Sequence, residues 1–179
     1  LLFGTKTLEP WYDSGNSDFP FERQGQTVAP KGIVGPYCIA RLDNTVFWIG
    51  RDQEAGGGAI VYRLNNYDGE RVSTHAVEEA LTGVDFSQVR CIAFIIAGHA
   101  FFMVILPDAP AWVYDAATGL WHEEDTYGLG RWQGNCHVWA YDNHVIGSYN
   151  SGELFTLDPD YFFDGTDTTI IRELISVPL

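Results

Sequence analysis

Apolar residues in this chain come in short runs, many of them alternating with polar positions every second residue. That is the period of a half-buried strand, not of a helix. The clearest runs are TVFWIGRD (45–52), AIVYR (59–63), CIAFII and HAFFMVI (91–105), AWVYD (111–115) and CHVWAYDNHVIGSY (136–149). They are rich in Val, Ile, Tyr, Phe and Trp, which suit a pleated surface. Pairs of Gly, Asn, Asp or Pro stand between them, as tight turns require.

The runs also repeat. Cys38, Cys91 and Cys136, spaced by 53 and 45 residues, each open a strand, a tight turn (Asp43-Asn44, Ala97-Gly98, Asp142-Asn143) and a second strand. A third strand follows at 59–63, 111–115 and 153–157, then a turn (NNYDG, AATG, DPDYFFDG), then a fourth strand at 70–74, 120–123 and 170–177. The N-terminal segment fits the same template without its first strand, with strands at 1–4, 7–12 and 20–23. Four antiparallel strands recurring every ~40–50 residues are the anatomy of a propeller blade. The predicted fold is all-β, of β-propeller type with four-stranded antiparallel blades. It forms a single propeller fragment over 1–179, with blades near 1–24 (partial), 36–74, 90–124 and 135–177. The recurring Cys is expected to be a small buried residue at the inner end of each first strand.

One stretch breaks the pattern. In RVSTHAVEEALTG (71–83), Ser73 or Thr74 can cap a helix, Ala-Val-Glu-Glu-Ala-Leu favours one, and Gly83 ends it. A short inserted helix over 74–82 is predicted as a decoration between blades, with Ala76, Val77, Ala80 and Leu81 facing inward.

Composition narrows the function. Apolar residues make up 46% and aromatics 15%, which supports a folded β domain and excludes disorder over most of the length. A net charge of −14 opposes binding to phosphate backbones and to anionic membranes. The longest apolar stretch, 92–106, is broken by Gly98 and His99 and reads as two strands and a turn, not as a membrane span. The chain opens on LLFG with no initiator Met, so a piece of a longer protein is expected. Three cysteines without a CxxC pair favour neither a disulfide framework nor a zinc knuckle.

Titratable residues cluster at a few places along the chain. WVYDAATGLWHEE (112–124) ends in His-Glu-Glu with Asp115 upstream, but Asp115–Gly119 reads as a turn between strands and 120–124 as an edge strand. There His122 shares a face with Glu124, and Trp121 with Glu123. Charges on an edge strand discourage aggregation. His99 and His144 fall at hairpin turns. His75 and Glu79 stand at i, i+4 on the predicted helix with no third ligand in view. The acidic stretch Asp158, Asp160, Asp164, Asp167 lacks the spacing of a calcium loop, and Gly56–Gly58 lacks the lysine and strand-to-helix setting of a phosphate cradle. The reading is non-enzymatic, with no catalytic residue, cofactor or metal.

Several stretches together carry a resemblance: LLFGTKTLEPWYDSGNSDFPFERQ, TVFWIGRD, GAIVYRLNNYDGERVSTHAVEEAL, PAWVYDAATGLWHEED and GRWQGN. The chain resembles, over nearly its whole length, the packaged-DNA stabilisation proteins of short-tailed bacteriophages, tail-hub components that assemble below the portal. The most specific parts are Arg71-Val-Ser73-Thr74-His75-Ala-Val-Glu78 and Glu9, Trp11-Tyr12 with Phe19-Pro-Phe21-Glu22. The resemblance implies a structural role in the virion tail, assembled in the host cytoplasm, sealing the portal channel and retaining packaged DNA. Its partners would be other tail and portal-vertex proteins, in a homo-oligomer around the tail axis, with no sequence-specific nucleic-acid binding and no membrane. Arg71, Ser73, Thr74, His75 and Glu78 are the candidate partner-contact residues. The rival reading is a carbohydrate-binding propeller, an adhesin or receptor-binding tail module, with Trp11, Trp48, Trp112, Trp121, Trp132 and Trp139 as stacking platforms.

Overall fold

The computed structural model describes residues 1–25, 28–52, 57–161, 163–164 and 168–170. In chain order the elements are β1 (Leu2–Phe3), β2 (Leu8–Glu9), β3 (Trp11–Asp13), β4 (Phe21–Arg23), β5 (Lys31–Ile33), β6 (Ile39–Leu42), β7 (Thr45–Asp52), β8 (Ala59–Asn65) and β9 (Asp68–Arg71). Helix α1 (His75–Ala80) follows, then β10 (Arg90–Ile96), β11 (His99–Ile105), β12 (Ala111–Asp115), β13 (Leu120–Glu124), β14 (Gly134–Ala140), β15 (Asn143–Ser148), β16 (Leu154–Leu157), β17 (Phe163–Asp164) and β18 (Thr168–Thr169).

Among the described residues every ladder is antiparallel, but only β10-β11-β12-β13 is a simple four-stranded meander. The sheet before it has five strands, because β7 is flanked on one side by two short strands: β6 pairs with residues 45–48 of β7, and the unanticipated β5 with residues 50–52. The sheet after it, β14-β15-β16, has three; the fourth strand expected at 170–177 lies, beyond Ile170, outside the described residues. At the N-terminus the strand expected over 7–12 is cut at Pro10, which has no N–H to give a ladder. Its halves pair separately, β2 with β1 and β3 with β4. Among the described residues a clean four-stranded sheet is therefore seen once and not throughout.

Two-residue turns set the register. Asp43-Asn44, Asn66-Tyr67, Ala97-Gly98 and Tyr141-Asp142 all have positive φ at both positions, the geometry that matches the twist of a hairpin. The last of these hairpins differs from expectation by one residue: Ala140 pairs with Asn143, so its turn is Tyr141-Asp142 and Asn143 begins the strand.

That register shows how the layers stack. On the β5–β9 sheet, Ile39, Val46, Trp48, Ile60 and Tyr62 face an N-terminal layer in which Leu8 is fully buried. Leu42, Phe47, Ile49 and Val61 face the other way, onto Ala93, Phe102, Val104 and Tyr114 of the next sheet, where Phe47 stacks on Phe102 at 5.2 Å between ring centroids. The far side of that sheet, Ile92, Phe94, Met103, Ile105 and Val113, meets Ile146, Phe155 and Leu157 of β15 and β16. Successive sheets thus cover one another in chain order, and side-chain alternation assigns each strand residue to one neighbour or the other.

The cysteines do not hold equivalent places. Six positions separate Cys91 from its turn, against five for Cys38 and Cys136, and one residue of slip reverses the face. Cys38 and Cys91 consequently meet in the same core from opposite sheets, and Ile92 takes the place that Cys38 holds in its own sheet. Burial pushes the Cys38 thiol up to about 12, and burial also raises Cys91. Cys136 is exposed, contrary to expectation, beside Gly147 and Leu154 on the outward face of the third sheet.

Candidate partner-contact surface

The segment from Arg71 to Glu78 is built as a clamp. Arg71 ends β9, and its Nε–H donates to Glu78 Oε1 at 2.7 Å while an Nη2–H donates to Oε2. This fork-on-fork geometry is the strong form of an arginine–carboxylate pair. Ser73 Oγ donates to the same Oε1 at 2.6 Å and accepts from the Val61 N–H of β8 at 3.1 Å. Thr74 is the N-cap, in extended conformation (φ −91°, ψ 168°), with Oγ1 accepting from Val77 N–H. Glu78 is thereby committed inward, with a side chain only 16% exposed, whereas the Arg71 side chain is 54% exposed.

Two apolar residues complete the attachment. Val77 and Leu81 are buried in the core between the β5–β9 and β10–β13 sheets, joined by Val84, Phe86 and Val89 from the chain that follows. Trp121 Nε1–H, from β13, donates to Val72 O at 2.8 Å just before the helix. The inserted segment is therefore part of the inter-sheet core, not a loop decoration. Of the four residues expected to face inward, Ala76 is exposed, because a helix this short turns only one narrow stripe toward the sheets. Thr74, His75, Ala76 and Glu79 form its outer surface.

The other titratable groups serve local structure. Asp115, at the end of β12, accepts from Ala117 N–H at 2.9 Å and Thr118 Oγ1–H at 2.9 Å and lies 2.8 Å from His99 Nδ1. Its partial burial acts to raise its pKa, but these hydrogen bonds and the His99 imidazole outweigh it and hold the carboxyl below its usual value. His122 and Glu124 share a face and approach to 3.2 Å on the edge strand. Asp158 closes its own turn by accepting from Asp160 N–H at 2.9 Å. Among the described residues no three His, Cys, Asp or Glu are placed to hold a metal ion. No described helix is long and apolar enough to cross a membrane.

Sequence reasoning missed the pairing of His99 with Asp115 and, more deeply placed, a pair of histidines. His144 is buried, and its Nε2 lies 2.8 Å from Ile95 O on β10. A carbonyl only accepts, so that nitrogen carries the proton and Nδ1 is left to accept from His137 Nε2–H across 3.0 Å. The pair bridges the second and third large sheets, between Phe94 and Trp139. Burial first, and then His144, lower the His137 pKa. His137 and His144 are diagonal neighbours across one hairpin, so the signal lay in the register.

The tryptophans do not form a common sugar platform. Trp48 and Trp132 are buried, Trp112 and Trp121 half-buried, and Trp11 and Trp139 exposed on different sheets.

No curated protein matches the sequence. The family model described as "Bacteriophage P22 Gp10, beta-propeller", of the phage stabilisation family, matches residues 1–162 of the 179. That match covers every sheet of the stack and the clamp. It brings with it a structural, non-catalytic role in the phage tail, at the head-completion stage, in retaining packaged DNA. A tail component of the virion, assembled during infection, the chain belongs to the phage stabilisation family.

Proposed function

We propose that the chain forms part of the closure sealing the portal channel once the genome is inside, and that its sheets are consecutive blades of one propeller. The blades run over 1–24 (partial), 36–74, 90–124 and 135–177, with the inserted helix at 74–82. The observation that carries this reading is the family match over residues 1–162. Face-to-face stacking in chain order supports it, because a blade buries its faces only against its neighbours. So does the position of β10, which contacts both β6 and β14, edge strands of the flanking sheets.

The charge of −14 makes the surface repel phosphate, so DNA is held by obstruction and not by grip. Partners are the neighbouring tail and portal-vertex proteins, in a homo-oligomer around the tail axis. The outer surface of the helix, Thr74, His75 and Glu79, with the solvent side of Arg71, is one contact, held rigid by Ser73 and Glu78 beneath it. The test is the DNA content of phage particles assembled without this protein. Heads that fill and then lose DNA support the seal. Heads that stay full while adsorption fails overturn it in favour of a receptor-binding module.

A further inference from the structure

Pro10 marks the point at which the N-terminal chain leaves the core. Before it, Leu8 is fully buried and bridged to Ala29. After it, among the described residues, β3 and β4 pair only with each other, in a two-stranded sheet. This hairpin carries four exposed aromatics: Trp11 (37%), Tyr12 (46%), Phe19 (60%) and Phe21 (53%). Trp11, Phe19 and Phe21 pack edge to face, at 6.5 and 6.1 Å between centroids, into a continuous apolar ridge. An isolated hairpin is marginal in water, and so much exposed aromatic surface marks a contact site.

The ridge is ordered before any partner arrives. Trp11 Nε1–H donates to Glu9 at 3.1 Å and Tyr12 Oη–H to Glu22 at 3.1 Å, while Ser14 N–H and Oγ–H both donate to Pro20 O. Asp13 and Asn16 accept from Gly15 and Asp18 N–H across the loop, at 2.9 and 3.1 Å. Such preorganisation removes the ordering cost of binding.

The charge around the ridge selects the partner. Between residues 9 and 25 stand Glu9, Asp13, Asp18 and Glu22 against a single cation, Arg23, itself 3.9 Å from Glu9. Phosphate backbones are repelled by that set. A sugar needs a flat ring to stack on, and rings inclined at 88° and 71° present a ridge instead.

We propose that the hairpin over 11–23 is a docking arm whose aromatic ridge enters an apolar cleft rimmed by Lys and Arg on a neighbouring protein of the virion. The arm rests on the virion role of the chain, and incorporation into particles is read separately from DNA retention. Hydroxyl-radical labelling of Trp11, Phe19 and Phe21 is compared between the free full chain and assembled virions, and labelling falls about tenfold on assembly. Rebinding of the purified chain to particles assembled without it weakens as salt rises. Phe19→Ser with Phe21→Ser lowers that rebinding about tenfold with the melting temperature nearly unchanged, since both rings are more than half exposed. Neutralising Asp13, Asp18 and Glu22 to Asn, Asn and Gln flattens the salt dependence.

Three results overturn the proposal: equal labelling in the free and assembled states, normal rebinding of the serine variant, or a salt response that survives neutralisation. Protection by soluble glycans in place of virion protein overturns it as well. Particles that incorporate the chain normally yet leak DNA count against the seal and leave the arm standing.

Discussion

Tyr141 occupies the left-handed region at φ 53° with 94% of its surface in water, where its ring gains nothing for the strain it imposes. Tyr141→Asn supplies the residue this turn prefers and should stabilise the protein by about 1 kcal/mol in denaturant unfolding. One histidine sets a pH response. His137 has a folded pKa below its unfolded value of about 6.5, so the unfolded chain binds the proton more readily. The associated stability is complete above pH ~6.5 and is lost as pH falls through that value toward the folded pKa. Melting temperatures measured between pH 7.5 and 5 should therefore decline below ~6.5. His137→Gln keeps a donor for His144 and should flatten the decline; an unchanged slope would place the titration elsewhere.

Helix α1 has six residues, too few to persist alone, so its stability comes from what it touches. Leu81→Ala removes a fully packed side chain from the inter-sheet core and should cost roughly 2–5 kcal/mol, whereas Ala76→Ser on the exposed side should leave unfolding nearly unchanged. The clamp, being partly exposed, contributes less: Glu78→Ala should cost about 1 kcal/mol, seen as a lower denaturant midpoint. The helix and most strands were legible in the sequence because capping, alternation and turn residues are local. The facing of β10 was not. Its apolar run serves two cores at once, so nothing in IAFII distinguishes one register from the next, and a shared cysteine suggested an equivalence that one extra residue removes. The pairs His99–Asp115 and His137–His144 were hidden for the same reason, since each exists only once the register is fixed. The split at Pro10 was open to inspection, for proline seldom continues a ladder.

The layers are fitted to each other at glycines. A Cβ on Gly32 of β5 would lie 2.3 Å from the backbone of Thr5 and Lys6, so Gly32→Ala must push the N-terminal layer off the sheet it covers. A cost of about 1–3 kcal/mol is expected, with faster hydrogen exchange at the Ile33 amide, which donates from β5 to Gly4 O of that layer. Net charge acts on the whole assembly of layers: at −14 the folded chain repels itself, and raising salt from ~10 to ~150 mM should raise the melting temperature. Because each sheet rests on the one that precedes it in the chain, the order of stacking is also the order of synthesis. A sheet leaving the ribosome finds the seat for one of its faces already built, and only its other face waits for residues still to be translated. The surface awaiting cover is one sheet wide at every moment, so a crowded infected cell meets a narrow, moving front of sticky β-structure and not a whole unfolded chain.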